Sequence, residues 1–302
     1  MAELSVVICT HNPRPDYFGR TLEALKHQTL PGEKWELLVI DNCSHEPLVG
    51  RTDLSWHPSA RIVREDKLGL TPARLCGIRE AGGDLLVFVD DDNVLDPDYL
   101  DTARQIAVTH PFLGSWSGQC RPGLEQEPPA WSRRYFGNLV LREFSQDVWS
   151  NLPRLDETMP CGAGLCVRRE VAQRYLHLHV THTRKYQFDR TGNSLLSGGD
   201  NDLAACACDV GLGVGLISAL KLTHLIPPER FTAEYHTRLA EGIEFSSVLL
   251  DAERGIEVKP RGFFRRLLDQ IRLMRLQQPH RDILRAAHRG RDRAARIAAQ
   301  GR

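Results

Sequence analysis

No paired Cys-x-x-Cys unit occurs in this 302-residue chain. Its 8 cysteines are scattered, the closest being Cys161 with Cys166 and Cys206 with Cys208, and neither spacing fits a zinc knuckle. Reduced, mostly buried thiols are expected. A long hydrophobic run is also missing, since the stretch around residues 211–220 is too short and glycine-rich to span a bilayer. The first residues show no basic start and no cleavage site and run directly into a strand pattern. A cytoplasmic protein is expected, free or resting on the inner face of the membrane. Neither a Gly-x-Gly-x-x-Gly turn nor a Walker loop follows that first strand, which counts against dinucleotide dehydrogenases and P-loop enzymes. Net charge is absent too, 39 Lys and Arg balancing 39 Asp and Glu. The balance hides a split. Residues 259–302 hold 13 Lys and Arg against 3 Asp and Glu, a net +10, so residues 1–258 carry −10.

What is present centres on residues 84–93. Residues 85–89 are five consecutive apolar residues without alternation, the pattern of a strand buried on both faces. Asp90, Asp91 and Asp92 follow at its carboxyl end, where open α/β sheets place ligands. Three adjacent carboxylates repel one another unless a cation sits among them. A hard divalent ion chelated by a diphosphate suits such a set, and so does a plain solvated turn. Residues 4–9, 36–40 and 61–64 read as three earlier strands. Helices are expected after Asp16, its cap, with Phe18, Leu22 and Leu25 at helical spacing, and over 71–81. The alternation is that of a doubly wound α/β sheet. Thr10, Asp41, Asp66 and Asp90 fall at or just beyond strand carboxyl ends, and such convergence builds nucleotide sites, although any one of them could be a cap or a surface charge. Asp41 could accept from a base imide or a ribose hydroxyl, and the planar fork of Arg74 could meet a base or a phosphate.

Four segments in order carry a resemblance: Ser-Val-Val-Ile-Cys-Thr-His-Asn-Pro-Arg at 5–14, Val-Ile-Asp-Asn-Cys-Ser at 39–44, Gly-Leu-Thr-Pro-Ala-Arg at 69–74 and Phe-Val-Asp-Asp-Asp at 88–92. This third of the chain resembles the inverting family 2 of GT-A glycosyltransferases. The resemblance implies an α/β GT-A fold, a Rossmann-like, mostly parallel sheet flanked by helices. It also implies a nucleotide-diphosphate sugar donor and a divalent metal, Mn or Mg. Thr10, Asn12, Arg14 and Asp41 would then hold the nucleoside, and Arg74 would lie near the base and phosphates. Asp90 would touch the ribose or the metal, with Asp91 beside it, and Asp92 would ligate the ion.

Residues 113–160 hold Trp116, Trp131 and Trp149 of the five tryptophans among several prolines, so irregular backbone is expected. Aromatic faces there, Trp131 above all, could stack on an acceptor sugar or serve as core anchors. The glycine-rich segment 159–164 resembles the family's approach to the donor sugar, with the backbone at Gly162 meeting sugar or diphosphate. Asp200 matches the family's catalytic base and Asp202 a second acid two residues on, while Gly199 stands where a Glu is usual. At a helix start both acids could equally be caps. His224, in a His-x-Ile-Pro-x-x-Arg-like context, would complete the metal site with Asp92, and a helix is expected over 228–240. The Gln-x-x-Arg-Trp motif of processive synthases is absent, which points to one sugar per encounter.

The expected organisation is a catalytic domain over 1–258, with 1–110 binding nucleotide and 111–258 the acceptor, followed by a basic helical tail over 259–302. In the tail Phe263, Leu267, Ile271 and Met274 share a helical face widened by Phe264, Leu268 and Leu276, ringed by Arg265, Arg266, Arg272 and Arg275. Residues 261–277 could lie on an anionic membrane, dock on the catalytic domain or pair in a dimer. A second helix after Pro279 shows a weaker face of Ile283, Leu284 and Ala287. Basic residues are not interleaved with aromatics, so nucleic acid is not an expected partner. Glycan, glycolipid or small-molecule acceptors remain open, as do the oligomeric state and the donor base, with UDP preferred from the resemblance. The alternative is a nucleotide-sugar-binding scaffold descended from such enzymes, favoured by Gly199. A nucleotidyltransferase would need the Gly-rich loop that is missing.

Overall fold

Strand β1 (Leu4–Thr10) is buried along almost its whole length, as a strand covered on both faces must be. The structure is a computed structural model and describes residues 2–154, 157–186, 188 and 198–300. Helix α1 (Pro15–Lys26) starts earlier than its polar residues suggest. Arg14 is the N-cap and Pro15 occupies the first turn, where its fixed φ suits the helix and its missing N–H costs nothing. Asp16, expected as the cap, therefore sits inside that turn, held by Arg14 through Nε at 2.8 Å and Nη2 at 2.9 Å. There follow β2 (Trp35–Asn42), β3 (Ala60–Glu65), α2 (Leu70–Glu80), β4 (Leu85–Val89), the short β5 (Asn93–Leu95) and α3 (Tyr99–Thr109). The region expected to be irregular opens instead with the long strand β6 (Leu113–Leu124). A 3-10 segment (Ala130–Leu139) and β7 (Val148–Ser150) come next. Then β8 (Leu165–Arg168), α4 (Arg169–Val180), α5 (Gly199–Asp209) and β9 (Gly213–Ile226) complete the sheet and its helices.

The order across the sheet is β3-β2-β1-β4-β8-β6-β9-β5, with β7 on β9. The block β3-β2-β1-β4 is parallel, the Rossmann-like half expected, and β8 and β5 join by antiparallel pairing. Register sets Thr10 opposite Asp41 and Asp41 opposite Arg64, so the polar strand ends line up along one edge. Under the sheet α2, α4 and α5 bury Ala73, Ile78, Val171, Tyr175, Leu203 and Ala204 against Val7, Leu38, Phe88 and Val167. Trp116 is wholly buried in β6 with the Arg168 guanidinium 5.7 Å from its ring, which makes it a core anchor. All eight cysteines are free thiols, and burial pushes Cys9 up to about 12.

The chain divides into two compact units. The first comprises 1–123, 140–183 and 199–226, and holds the sheet. The second comprises 124–139, 184–198 and 227–302. In the second unit the helix expected over 228–240 is broken. A 3-10 turn (Pro228–Phe231) precedes α6 (Ala233–Glu253), because Thr232 caps the new helix, its Oγ1 accepting from Tyr235 N–H at 3.2 Å. Helices α7 (Phe263–Arg275) and α8 (His280–Gln300) follow. The buried seam of α8 runs through Ala286, Gly290, Ala294 and Ala298, spaced by four. It packs on α6 so closely that a Cβ on Gly290 would lie 2.2 Å from the Glu241 carbonyl oxygen. Of the face expected for this helix, Ile283 is buried while Leu284 and Ala287 lie at the margin. No helix among the described residues is long and apolar enough to cross a membrane.

Candidate functional site

The parallel strands end in a connected polar edge within the first unit. Thr10, last in β1, donates to the Asp91 carboxylate, and Thr21 Oγ1 donates to the Asp91 carbonyl at 3.1 Å. Asn12 has a left-handed backbone (φ 50°), turning the chain after β1. Its N–H donates to Ser44 Oγ at 2.9 Å and its side-chain oxygen accepts from His45 N–H at 2.8 Å. Arg14 lies over the Tyr17 ring at 4.1 Å, besides pairing with Asp16.

Asp41 is 1% exposed, and the chain itself engages both carboxylate oxygens. Ser44 N–H donates to Oδ1 at 3.1 Å, while Leu48 N–H at 3.1 Å and Arg64 Nη1 at 2.9 Å reach Oδ2. Burial works against its charge, yet hydrogen bonds from Ser44, Leu48 and Arg64 outweigh it and hold the carboxyl below its ordinary pKa. The expectation had Asp41 accept from a base or ribose; here it anchors the loop that follows β2. Asn42 does similar work, donating to the Glu65 and Lys67 carbonyls at 3.1 and 2.7 Å and accepting from Gly69 N–H at 2.8 Å. Asp66 is 92% exposed and touches only the edge of Arg64, at 3.4 Å, apart from the buried cluster.

That cluster forms where α2, the triple-aspartate turn, residues 159–164 and the start of α5 meet. Arg74 is 5% exposed. Burial opposes its charge, but Asp200 first, then Tyr175, Asp90 and Cys9, hold its pKa above the ordinary value. Asp90 is pushed up by burial and by Asp92, with Arg74 and His224 pulling the other way. Asp92 and His224 are 8% and 7% exposed, and His224 Nε2 lies 3.3 Å from Asp92 Oδ2. The pair is set by the sheet: β5 opposes β9 with Asn93 beside His224, and Asn93 Nδ2 donates to Asp92 Oδ1 at 3.0 Å.

Gly162 N–H donates to Asp200 Oδ2 at 2.9 Å. This contact orients Asp200 although Gly199 takes the place of the usual Glu. A Cβ on Gly162 would come within 3.1 Å of both Arg74 Nη2 and Asp200 Oδ2 and would press on both groups. The segment is pinned from behind by Arg142, which donates to the Met159 carbonyl at 3.1 Å and to Ser117 Oγ at 2.8 Å. Asp202 is buried in the first turn of α5. It stands near Tyr175, whose hydroxyl is pushed up by burial and by that carboxylate.

Arg64, Asn42, Asn93, Arg142 and Tyr175 were not anticipated. The only sequence signal for the first pair was the Asp-Asn doublet closing β2, polar residues of the kind that tie down the loop after a strand. Trp131 belongs to the second unit, where its ring lies 5.6 Å from His236 and 6.3 Å from Tyr135. The sequence also offers the loop around 186–196 as a selector of acceptor and sugar, and of that loop residues 187 and 189–196 fall outside the described residues.

Among the described residues no group of three or more His, Cys, Asp or Glu side chains surrounds one point. A two-ligand arrangement is nevertheless what a hard divalent ion uses when substrate phosphates fill its other positions. Asp92 and His224, facing each other beside a second carboxylate that repels Asp92, fit such an ion.

A family model for glycosyl transferase family 2 matches residues 5–176, more than half of the chain. The chain belongs to glycosyl transferase family 2. An uncharacterized glycosyltransferase of Haemophilus influenzae is 30% identical over 110 residues, 36% of this chain and 36% of that protein. Glycosyltransferase AglE of Haloferax volcanii is 33% identical over 92 residues, 30% of each chain. The chain spans about a third of the length of these two relatives. Among solved structures, S. aureus TarS 1-349 in complex with UDP has a TM-score of 0.52 at 15% identity, covering 100% of this chain and 92% of that one. The mannosyltransferase PcManGT from Pyrobaculum calidifontis, in complex with GDP-Man and Mn2+, has a TM-score of 0.56 at 18% identity, covering 99% and 74%. At these identities the likeness shows the fold, which is GT-A.

Proposed function

We propose that this chain is a metal-dependent, inverting, non-processive glycosyltransferase. It moves a sugar from a nucleotide-diphosphate sugar, a UDP-sugar by first choice, to an acceptor hydroxyl in the synthesis of a cell-surface glycan, a glycolipid or a natural-product glycoside. The observation that carries the reading is Asp200, held by the Gly162 N–H beside buried Arg74, in one cluster with Asp90, Asp92 and His224. Asp200 takes the proton from the acceptor hydroxyl as its oxygen attacks the anomeric carbon from the face opposite the diphosphate. The new glycosidic bond forms as the bond to the diphosphate breaks, the proton ends on Asp200, and the nucleoside diphosphate leaves. Arg74 faces the charges of Asp90 and Asp200 and is the guanidinium we assign to the donor phosphates. Thr10, Asn12 and Arg14, with the loop tied by Asp41, form the nucleoside wall, and Asp91 is held to it by Thr10. Asp92 and His224 hold the ion, which when bound supplies positive charge against the departing diphosphate. Asp202 supports the start of α5, and Asp66 is a further candidate on the donor side.

A non-catalytic nucleotide-sugar-binding scaffold is the second reading, and Gly199 is the feature that favours it. The Gly162 contact weakens that case, because it supplies the orientation the missing Glu would give. The deciding experiment is a calorimetric titration with UDP, GDP and dTDP, each with and without Mn2+. Binding of UDP that requires Mn2+, followed by turnover of UDP-sugars, is expected. No binding of any nucleotide to the folded protein would overturn the donor-site reading, and binding without turnover would favour the scaffold.

A further inference from the structure

Helix α7 is turned the wrong way round for a helix of a water-soluble unit. The side facing the protein is held by Leu273 and by an ion network, and its apolar stripe faces out. Arg261 donates to Asp269 Oδ2 at 2.7 Å and to Asp292 Oδ2 at 2.6 Å, tying α7 to α8. Arg281 Nε adds bonds to the carbonyls of Leu273 and Leu276 at 3.1 and 2.8 Å, which fixes the helix end. Meanwhile Phe263 and Phe264 are 76% and 79% exposed, and Leu267, Leu268, Ile271 and Met274 are exposed beside them. At about 100° per residue these six side chains cover an arc of about 140°, and Asp269 with Leu273 lie almost opposite its centre. No other described helix presents so dense an apolar surface; its neighbours α6 and α8 bury theirs against each other.

We infer that α7 is a membrane-surface helix whose outward arc enters the headgroup–acyl boundary of an anionic bilayer. Arg265, Arg266 and Arg272 border the arc, Arg275 lies within it, and all four are exposed, while the single acid of α7, Asp269, is turned inward, where it meets Arg261 at 2.7 Å and Arg265 at 3.6 Å. The outer surface therefore combines apolar bulk with an excess of positive charge, the pair of features that an anionic lipid surface satisfies together. A second copy of the chain satisfies only the first, because stacking two arcs would bring eight arginines together against only the two inward-turned Asp269 side chains. The helix is about 20 Å long and lies flat rather than spanning. This inference does not rest on the glycosyltransferase reading, since none of its residues belongs to the proposed donor or metal site.

The test is flotation of the full chain with vesicles containing about 30% phosphatidylglycerol, beside pure phosphatidylcholine vesicles, at low and high salt. Point variants are preferable to removing the tail, which would strip α8 from α6. Partitioning onto anionic vesicles should exceed that onto neutral ones by at least about tenfold and weaken in high salt. The double variant F263S/F264S should lose at least about tenfold in partitioning with its melting temperature unchanged, since both side chains are exposed. R266Q/R272Q should lower the preference for anionic lipid. Phe264→Trp should show a fluorescence blue shift on adding anionic vesicles. Equal, weak partitioning of the parent and F263S/F264S would overturn the inference. So would a solution dimer that F263S/F264S dissociates, which would make the arc a contact between copies.

Discussion

Asp200→Asn removes a charge and a proton acceptor and leaves side-chain size almost unchanged. The amide oxygen can still accept from the Gly162 N–H, now 2.9 Å from Oδ2, so the side chain should keep its place, and Arg74 keeps Asp90 as a charge partner. What is lost is general-base catalysis, which contributes about 10²–10⁴ in rate, or about 2.7–5.4 kcal/mol at 1.36 kcal/mol per tenfold. Because Asp200 is assigned to the acceptor and not to the nucleotide, the loss should fall on kcat while affinity for the Mn–UDP complex stays within about threefold. Release of nucleoside diphosphate in the presence of acceptor reads the first quantity and calorimetry the second. Turnover within about twofold of the parent would remove Asp200 from the chemistry. A collapse of binding and melting temperature together would make it a structural partner of Arg74. Gly162→Ala probes the same contact from the other side. Its methyl would sit 3.1 Å from both Arg74 Nη2 and Asp200 Oδ2, and displacing the base by a few tenths of an ångström should lower kcat by about tenfold.

Three further outcomes follow from other parts of the structure. Asp92→Ala or His224→Ala should weaken UDP binding in Mn2+ by at least about tenfold and leave metal-free titrations unchanged. Asp41→Asn should cost about 1–3 kcal/mol at neutral pH by leaving Arg64 and two loop N–H groups poorly matched. The native Asp41 pKa is depressed, so its stabilisation is present above the ordinary carboxylate pKa and lost as pH falls through the depressed value. Urea midpoints of parent and variant should therefore converge in acid, and a gap independent of pH would contradict the assignment. Gly290→Val should cost about 1–3 kcal/mol by forcing α8 off α6, seen as a lower urea midpoint with an unchanged slope.

Legibility in the sequence followed the range of the forces involved. Strands β1, β2 and β4 could be read because burial on both faces selects unbroken apolar runs, and Asp90, Asp91 and Asp92 stood out because adjacent carboxylates are costly without a purpose. Asp16 was misjudged as a cap because Pro15 suits the first helical turn and moves the start two residues back. The helix over 228–240 was read through a break that one side chain, Thr232, creates by capture of a backbone N–H. The seam of α8 was legible in principle, as small residues repeating every fourth position from Ala286 to Ala298, but the apolar weight of Ile283 and Leu284 drew attention away from it.

By itself the sequence determined the α/β alternation, the family, the acidic turn after β4 and the amphipathic character of α7, since each is written in neighbouring residues or in helical and strand periods. Only the tertiary structure decided which groups meet. Asp41 is spent on Arg64 and its own loop because the parallel register of β2 and β3 sets them opposite each other. Asp92 faces His224 because β5 pairs antiparallel with β9. Asp200 is oriented by a backbone N–H nearly forty residues earlier, and the apolar stripe of α7 faces outward because Arg261 claims the opposite side. Contacts between distant segments depend on register and packing, which no local pattern encodes, and both are decided when the whole core closes.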